Sequence, residues 1–190
     1  LSRARNLGAA HTEARWIVFL DADVIPSARF VAAVSARLAA GRFLRPVPAT
    51  KETWGTVVCP REAFLRIEGY DEVFSGWGAE DDDLYARMRT IGLTQASYPA
   101  TLLRSIPHDD EARMRYYEIK DRALSHRVNV SYMALKQGVQ ALTGAAPAIE
   151  LRHELRAEVM RAMEQSVPAC ADDRIEIEPA ELNIPASAAE

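Results

Sequence analysis

"WIVFLDADVIP", residues 16–26, decides how this chain folds. With Arg15, the run to Leu20 is β-branched and aromatic, too short for a helix, and reads as a buried strand over 15–20. Two acids, Asp21 and Asp23, stand at its end, and Pro26 marks where a helix can begin. The following "SARFVAAVSARLAAG" (27–41) spaces Phe30, Val34 and Leu38 four apart and closes on Gly41, as a helix would. A strand handing over to an amphipathic helix is the unit of an α/β layer fold.

Working outward, "SRARNLGAAHTEA" (2–14) reads as a helix weakened by Gly8. "FLRPVPAT" (43–50) reads as an interrupted strand or loop, because Pro46 and Pro48 cannot donate to a ladder. "GTVVCP" (55–60) is expected as a strand and "REAFLRIEG" (61–69) as a short helix. A helix is expected over 80–91, with Leu84, Met88 and Ile91 on its inner face. "TLLRSI" (101–106) reads as a strand, 109–136 as a long helix, and 147–164 as a last helix built on Leu151, Leu155, Val159 and Met163. The proline-interrupted end, 171–190, is expected as a flexible tail. The domain reading is therefore 1–140 as one α/β domain, 141–170 as a helical appendage, and 171–190 as tail.

The bulk numbers exclude several classes. The chain has 190 residues, 48% hydrophobic and 26% charged, with a net charge of −4. Such a balance gives no footing for nucleic acid or an anionic membrane surface. No apolar run is long enough to span a bilayer, so no transmembrane segment is expected. Cys59 and Cys170 are far apart and lack metal-ligand spacing, which fits a cytoplasmic location. The chain starts at Leu1 on a helix already under way and is expected to be a fragment.

Three polar clusters carry chemistry. Asp21 and Asp23 lie at a strand's carboxyl end, where α/β proteins present ligands. In extended chain a D-x-D pair aims both carboxylates to one side, where they can share a hard divalent cation; Asp is equally at home in a turn or helix cap. The second cluster is "SGWGAEDDDLYARM" (75–88), in which Glu80, Asp81, Asp82 and Asp83 stand together behind a Gly-Trp-Gly turn. The positive end of a helix explains one or two such acids, at roughly 0.3–1 kcal/mol each, but not four beside an indole. An aromatic plate with carboxylates at its rim suits a sugar, and one carboxylate can serve as base for a hydroxyl. The third is His108 before Asp109 and Asp110, which reads as a structural histidine unless the other clusters need another metal ligand.

Taken together, "SRARNLGAA", "WIVFLDADVIP", "GTVVCPREAFLRIEGYDEVFSGWGAEDDDLYARM" and "IPH" resemble the GT-A glycosyltransferases. Within them the likeness is to the β-1,4-galactosyltransferase C-terminal module and to the bacterial chondroitin-polymerase-type family 2 enzymes. It covers roughly residues 2–110. The resemblance implies an α/β GT-A fold with a mixed sheet flanked by helices, lacking its first nucleotide-binding half.

It also implies a metal-dependent inverting transfer of a hexose or N-acetylhexosamine from a UDP-sugar donor to a hydroxyl of a carbohydrate acceptor. By resemblance Asp81 matches the base, and Trp77, Glu80 and Asp82 the acceptor contacts. Arg3, Asp21 and Gly55 match positions around the nucleotide sugar, while Asp23 and His108 match ligands of Mn2+ or Mg2+. Ala79 stands where galactosyltransferases often have Gly. The competing expectation is an inactive GT-A remnant that binds carbohydrate or serves as a scaffold, since an isolated fragment need not turn over.

Overall fold

The computed structural model describes residues 1–107, 109, 111 and 114–165; His108 and 171–190 lie outside the described residues. These gather into two compact units, 1–72 with 80–109, and 73–79 with the residues from 110 onward.

The first unit is a mixed α/β layer structure. Its helices are α1 (Ser2–Ala10), α2 (Phe30–Ser35), α3 (Arg61–Arg66) and α4 (Glu80–Thr90). The main sheet contains β1 (Trp16–Phe19), β3 (Arg42–Val47), β4 (Val57–Pro60) and β5 (Thr94–Pro99), in the order β1-β4-β3-β5. β4 runs antiparallel to both β1 and β3, and β3 runs parallel to β5. It follows that β1, β3 and β5 all end at the edge where β4 begins. That edge receives Asp21 from β1 and Gly55 from the approach to β4. A two-stranded ribbon pairs β2 (Val24–Pro26) with β6 (Leu103–Ser105), Val24 opposite Ser105.

Apolar side chains alternate between the sheet's two faces, as the strand period of two requires. Phe43, Val57 and Cys59 pack with Phe19, Phe64, Leu84, Tyr85 and Met88 under α3 and α4. Leu44, Val58 and Tyr98 pack on the other face with Phe30 and Val34 of α2. Burial pushes the Cys59 thiol up to about 12, so it serves here as a small hydrophobe.

Several expectations change. β1 is an edge strand among the described residues: Ile17 and Phe19 are buried, but Val18 is 41% exposed. Residues 42–47 form a true inner strand despite Pro46. β3 meets β4 only at Leu44 opposite Val58, so Pro46 is not asked to donate there. β5 went unanticipated because only Ala96 and Tyr98 of its alternate residues turn inward to the core. α1 stops at Ala10, where the Thr12 hydroxyl accepts from the Ala14 amide at 3.2 Å and offers the backbone a turn instead.

The second unit is built on α5 (Arg122–Thr143) and α6 (Ile149–Gln165). α5 begins thirteen residues later than the expected 109, because the Asp121 carboxylate caps it by accepting from the Ala123 and Leu124 amides. It runs on to Gly144, whose left-handed conformation (φ 74°) ends it. Val128, Tyr132 and Val139 bury against Val73 and against Leu155 and Val159 of α6. The last helix is close to its sequence expectation. No helix among the described residues is long and apolar enough to cross a membrane.

Candidate functional site

The carboxyl edge of the main sheet gathers a charge cluster around Arg5. In α1, Ser2, Arg5 and Ala9 fall on one helical face and are buried together, so Arg5 points inward while Arg3 is exposed. The Arg5 guanidinium donates from Nη2 to Asp21 Oδ1 at 2.5 Å and from Nη1 to Asp81 Oδ1 at 2.9 Å. Its side chain is 8% exposed, and those of Asp81 and Asp21 are 13% and 29% exposed. It also lies 4.7 Å from the centre of the Tyr70 ring.

Tyr70 is the second anchor. The Asn6 side chain accepts from the Tyr70 amide at 2.8 Å and donates to its carbonyl at 2.9 Å. Gly69 makes that clamp possible. Its φ is +68°, and a Cβ built there would sit 2.4 Å from Asn6 Oδ1. So held, the Tyr70 hydroxyl donates to Asp81 Oδ1 at 3.1 Å. One oxygen of Asp81 is therefore occupied twice.

The other oxygens face Gly55. A Cβ there would stand 2.8 Å from Asp21 Oδ2, 3.0 Å from Arg5 Nη2 and 3.0 Å from Asp81 Oδ2. Only glycine leaves room, because Asp21 Oδ2, Arg5 Nη2 and Asp81 Oδ2 all crowd the place its Cβ would take. No donor among the described residues reaches Asp81 Oδ2, which packs against Gly55.

The electrostatics follow from burial. Burial raises the Asp81 carboxyl, Arg5 pulls it down, Asp21 raises it, and the bonds from Tyr70 and Arg5 lower it; the net direction is up. Glu80 rises to about 7, through burial first and the neighbouring Asp81 second, against its helix-end amide and Arg5. Burial lowers Arg5, but Tyr70, Asp81, Asp21 and Glu80 outweigh it, and the guanidinium stays charged.

Asp82 points to a different partner. Its Oδ1 accepts from the Trp54 indole Nε1 at 2.9 Å. Asp83 is fully buried and is bound by Arg87 Nε at 2.8 Å, four residues on, so this member of the acidic run is structural.

Asp23 stands where the ribbon begins. Its carbonyl accepts from the Ile106 amide at 2.7 Å, which ties the chain two residues before His108 to the D-x-D segment. Among the described residues no group of three metal-ligating side chains is gathered, and His108 is outside them.

Trp77 belongs to the second unit. Its amide donates to Ser125 Oγ at 2.7 Å, the Arg122 guanidinium lies 4.0 Å over its ring, and His126 is 5.4 Å away. Gly76 and Gly78 allow this approach: a Cβ on either would fall within 2.6 Å of Ser125 or His126. Ala79, in the place of the expected glycine, adopts φ 69°.

The structure thus brings Asp21, Gly55 and Asp81 into one cluster, with Glu80 close enough to feel its charges. Arg5, Tyr70 and Trp54 were not singled out from sequence. The signal for Arg5 was its three- and four-residue spacing from Ser2 and Ala9. Nothing in the sequence pointed to Tyr70 or Trp54, because their partners are distant along the chain.

A family model described as the N-terminal domain of galactosyltransferase matches residues 37–111. The chain is 26% identical to β-1,4-galactosyltransferase 5 of Mus musculus over 114 residues, 52% of this chain and 29% of that protein. It is 27% identical to β-1,4-galactosyltransferase 1 of Bos taurus over 158 residues, 71% of this chain and 39% of that protein. Among solved structures it is similar to the catalytic domain of Drosophila β1,4-galactosyltransferase 7 in complex with xylobiose, with 22% identity and a TM-score of 0.42. That match covers 50% of this chain and 44% of that one. A mutant of that enzyme with manganese, UDP-Gal and xylobiose gives 17% identity and a TM-score of 0.48, covering 65% of this chain and 58% of that one. The chain thus spans between 29% and 39% of the curated galactosyltransferases it resembles, and the matched stretch contains Gly55, the Gly-Trp-Gly turn and the acidic helix start.

Proposed function

We propose that this chain carries the acceptor side and the metal-gripping side of an inverting glycosyltransferase with a GT-A fold. The transfer moves a galactose-like hexose or an N-acetylhexosamine from a UDP-sugar to a hydroxyl of a carbohydrate acceptor. The observation that carries this reading is the Arg5 bridge between Asp21 and Asp81 beside Gly55. It joins the end of the D-x-D strand to the acidic helix tip, so donor-side and acceptor-side carboxylates share one fixed frame.

In this reading Asp81 Oδ2 takes the proton of the acceptor hydroxyl as its oxygen attacks the anomeric carbon, opposite the departing diphosphate. Arg5 and Tyr70, both on Oδ1, hold the carboxylate so that Oδ2 faces the reaction. Asp21 lies against the donor, and Gly55 lets the backbone approach it. Glu80 and Asp82 accept acceptor hydroxyls. Asp23 and His108 would hold Mn2+ or Mg2+, whose chemistry is to neutralise charge on the donor's diphosphate. The assignment of Trp77 to a sugar rests on the sequence resemblance alone.

The test is UDP release from UDP-galactose by the full chain with manganese, measured with and without carbohydrate acceptors. Asp81→Asn is expected to cut turnover by about 10²–10⁴ while leaving the KM for donor within about twofold. Turnover of Asp81→Asn equal to that of the unaltered chain removes Asp81 as base. Absence of acceptor-dependent UDP release from the unaltered chain favours the competing reading, an inactive remnant that binds carbohydrate.

A further inference from the structure

We propose that Trp54 is the plate on which the acceptor's pyranose ring rests, with Asp82 at its edge to accept a ring hydroxyl. This deepens the glycosyltransferase reading and rests on it for the identity of the sugar as acceptor.

Trp54 is immobilised from several directions. Its indole Nε1 donates to Asp82 Oδ1 at 2.9 Å. Its carbonyl accepts from the Tyr85 hydroxyl at 2.7 Å and from Arg45 Nη2 at 3.1 Å. The Arg45 guanidinium is sandwiched between two rings, 4.2 Å from the Trp54 centre and 4.0 Å from the Tyr85 centre. Tyr85 stacks in turn on Phe43 at 6.0 Å and 12° between planes, which roots the column in the core. An indole serving only to cover Arg45 would be expected to sink in with it. Arg45 is 5% exposed, yet Trp54 remains 40% exposed. With one face on the guanidinium, the exposed surface is the other face and the rim.

Position makes that surface relevant. Trp54 directly precedes Gly55, whose backbone lies against Asp21 and Asp81. The Asp82 oxygen that Trp54 does not use has no donor among the described residues. A flat apolar face beside a carboxylate matches a pyranose, which offers axial C–H groups on one side and hydroxyls round its rim. A rigid indole loses little conformational entropy on contact, so the fixed geometry favours binding.

The test uses the full chain labelled with 15N, its indole signals assigned with Trp54→Phe and Trp77→Phe. The probes are the methyl β-glycosides of galactose, glucose, xylose and N-acetylglucosamine, each taken to about 100 mM because single-sugar contacts are millimolar. At least one is expected to shift the Trp54 Nε1 signal saturably. Saturation transfer to that glycoside is expected to fall about tenfold or more in Trp54→Ala. Trp54→Phe keeps a ring over Arg45, so it is the variant to compare if Trp54→Ala misfolds; a weaker, still measurable transfer is its expected result. A panel that leaves the Trp54 signal still, shifts confined to Trp77, or unaltered transfer in the Trp54 variants each overturn the plate. Acceptor-dependent turnover with a silent Trp54 signal would overturn the plate and leave the transferase standing. A saturable Trp54 shift without turnover would do the reverse.

Discussion

Arg5 is the residue on which the rest of the cluster depends. Removing one partner of a buried ion pair leaves the others uncompensated and typically costs about 3–5 kcal/mol. Arg5→Met is therefore expected to lower the urea midpoint by the equivalent of about 3 kcal/mol, with part of the loss recovered in Arg5→Met/Asp81→Asn. Additive losses in the double variant would show that Arg5 and Asp81 are not energetically coupled. Glu80 gives a pH signature. Its folded-state carboxyl is raised to about 7, so the folded chain holds that proton more tightly than the unfolded one. The resulting stability is fully present below the ordinary carboxylate range and is lost as pH rises through about 7. Thermal melts of the metal-free chain should weaken between about pH 5 and pH 8, and Glu80→Gln should flatten that slope. A slope unchanged in Glu80→Gln assigns the titration to another group. At this scale the sequence displayed the carboxylates, because their crowding is visible in one dimension. It did not display their countercharge, since Arg5 is 76 positions from Asp81 and its inward aim depends on the helical phase of Ser2 and Ala9.

Elements were legible where a local signal governs them. α4 and α6 lie close to their expected spans because apolar spacing sets their faces, and β4 follows from its uniformly apolar run. Where a tertiary or capping contact governs, the sequence misled. Pro46 sits in β3 because the β4 ladder is absent at that point, and Asp121 moves the start of α5 well past the apolar stripe expected from residue 109. β5 is held mainly by its parallel pairing with β3 from Arg42 to Val47, which no local pattern announces. The turn leading to α4 carries a prediction of its own. Ala79 adopts φ 69°, a left-handed conformation that costs a Cβ-bearing residue about 1–2 kcal/mol. Ala79→Gly relieves that strain, less what glycine adds to the freedom of the unfolded chain. The net expectation is a gain of about 0.5–1 kcal/mol by urea denaturation. A loss instead would mean that the Ala79 methyl, which is buried, contributes more by packing than its backbone costs.

On the scale of the whole molecule, the question is whether the chain grips a divalent ion by itself. The ribbon supplies the reason to expect it. β2 pairs with β6, and the bond from the Ile106 amide to the Asp23 carbonyl fixes the start of the segment that leads to His108. Asp23 and Ile106, far apart in sequence, are thereby joined beside one short piece of sheet, and sheet pairing is stiffer than a loop contact. An ion bound by the folded chain and not by the unfolded one stabilises it by about 2.7 kcal/mol when present at a hundredfold over its Kd. Manganese should therefore raise the melting temperature in a concentration-dependent way, without donor or acceptor present. Asp23→Asn and His108→Ala should each flatten that dependence, because each removes one of the two proposed ligands. Asp109→Asn is the control that lowers local charge and spares the proposed ligands. If manganese leaves the melting temperature unchanged, or if the control flattens the curve as much as the two ligand variants do, the ion is held by diffuse charge or not at all. The D-x-D would then be a turn at the end of a strand.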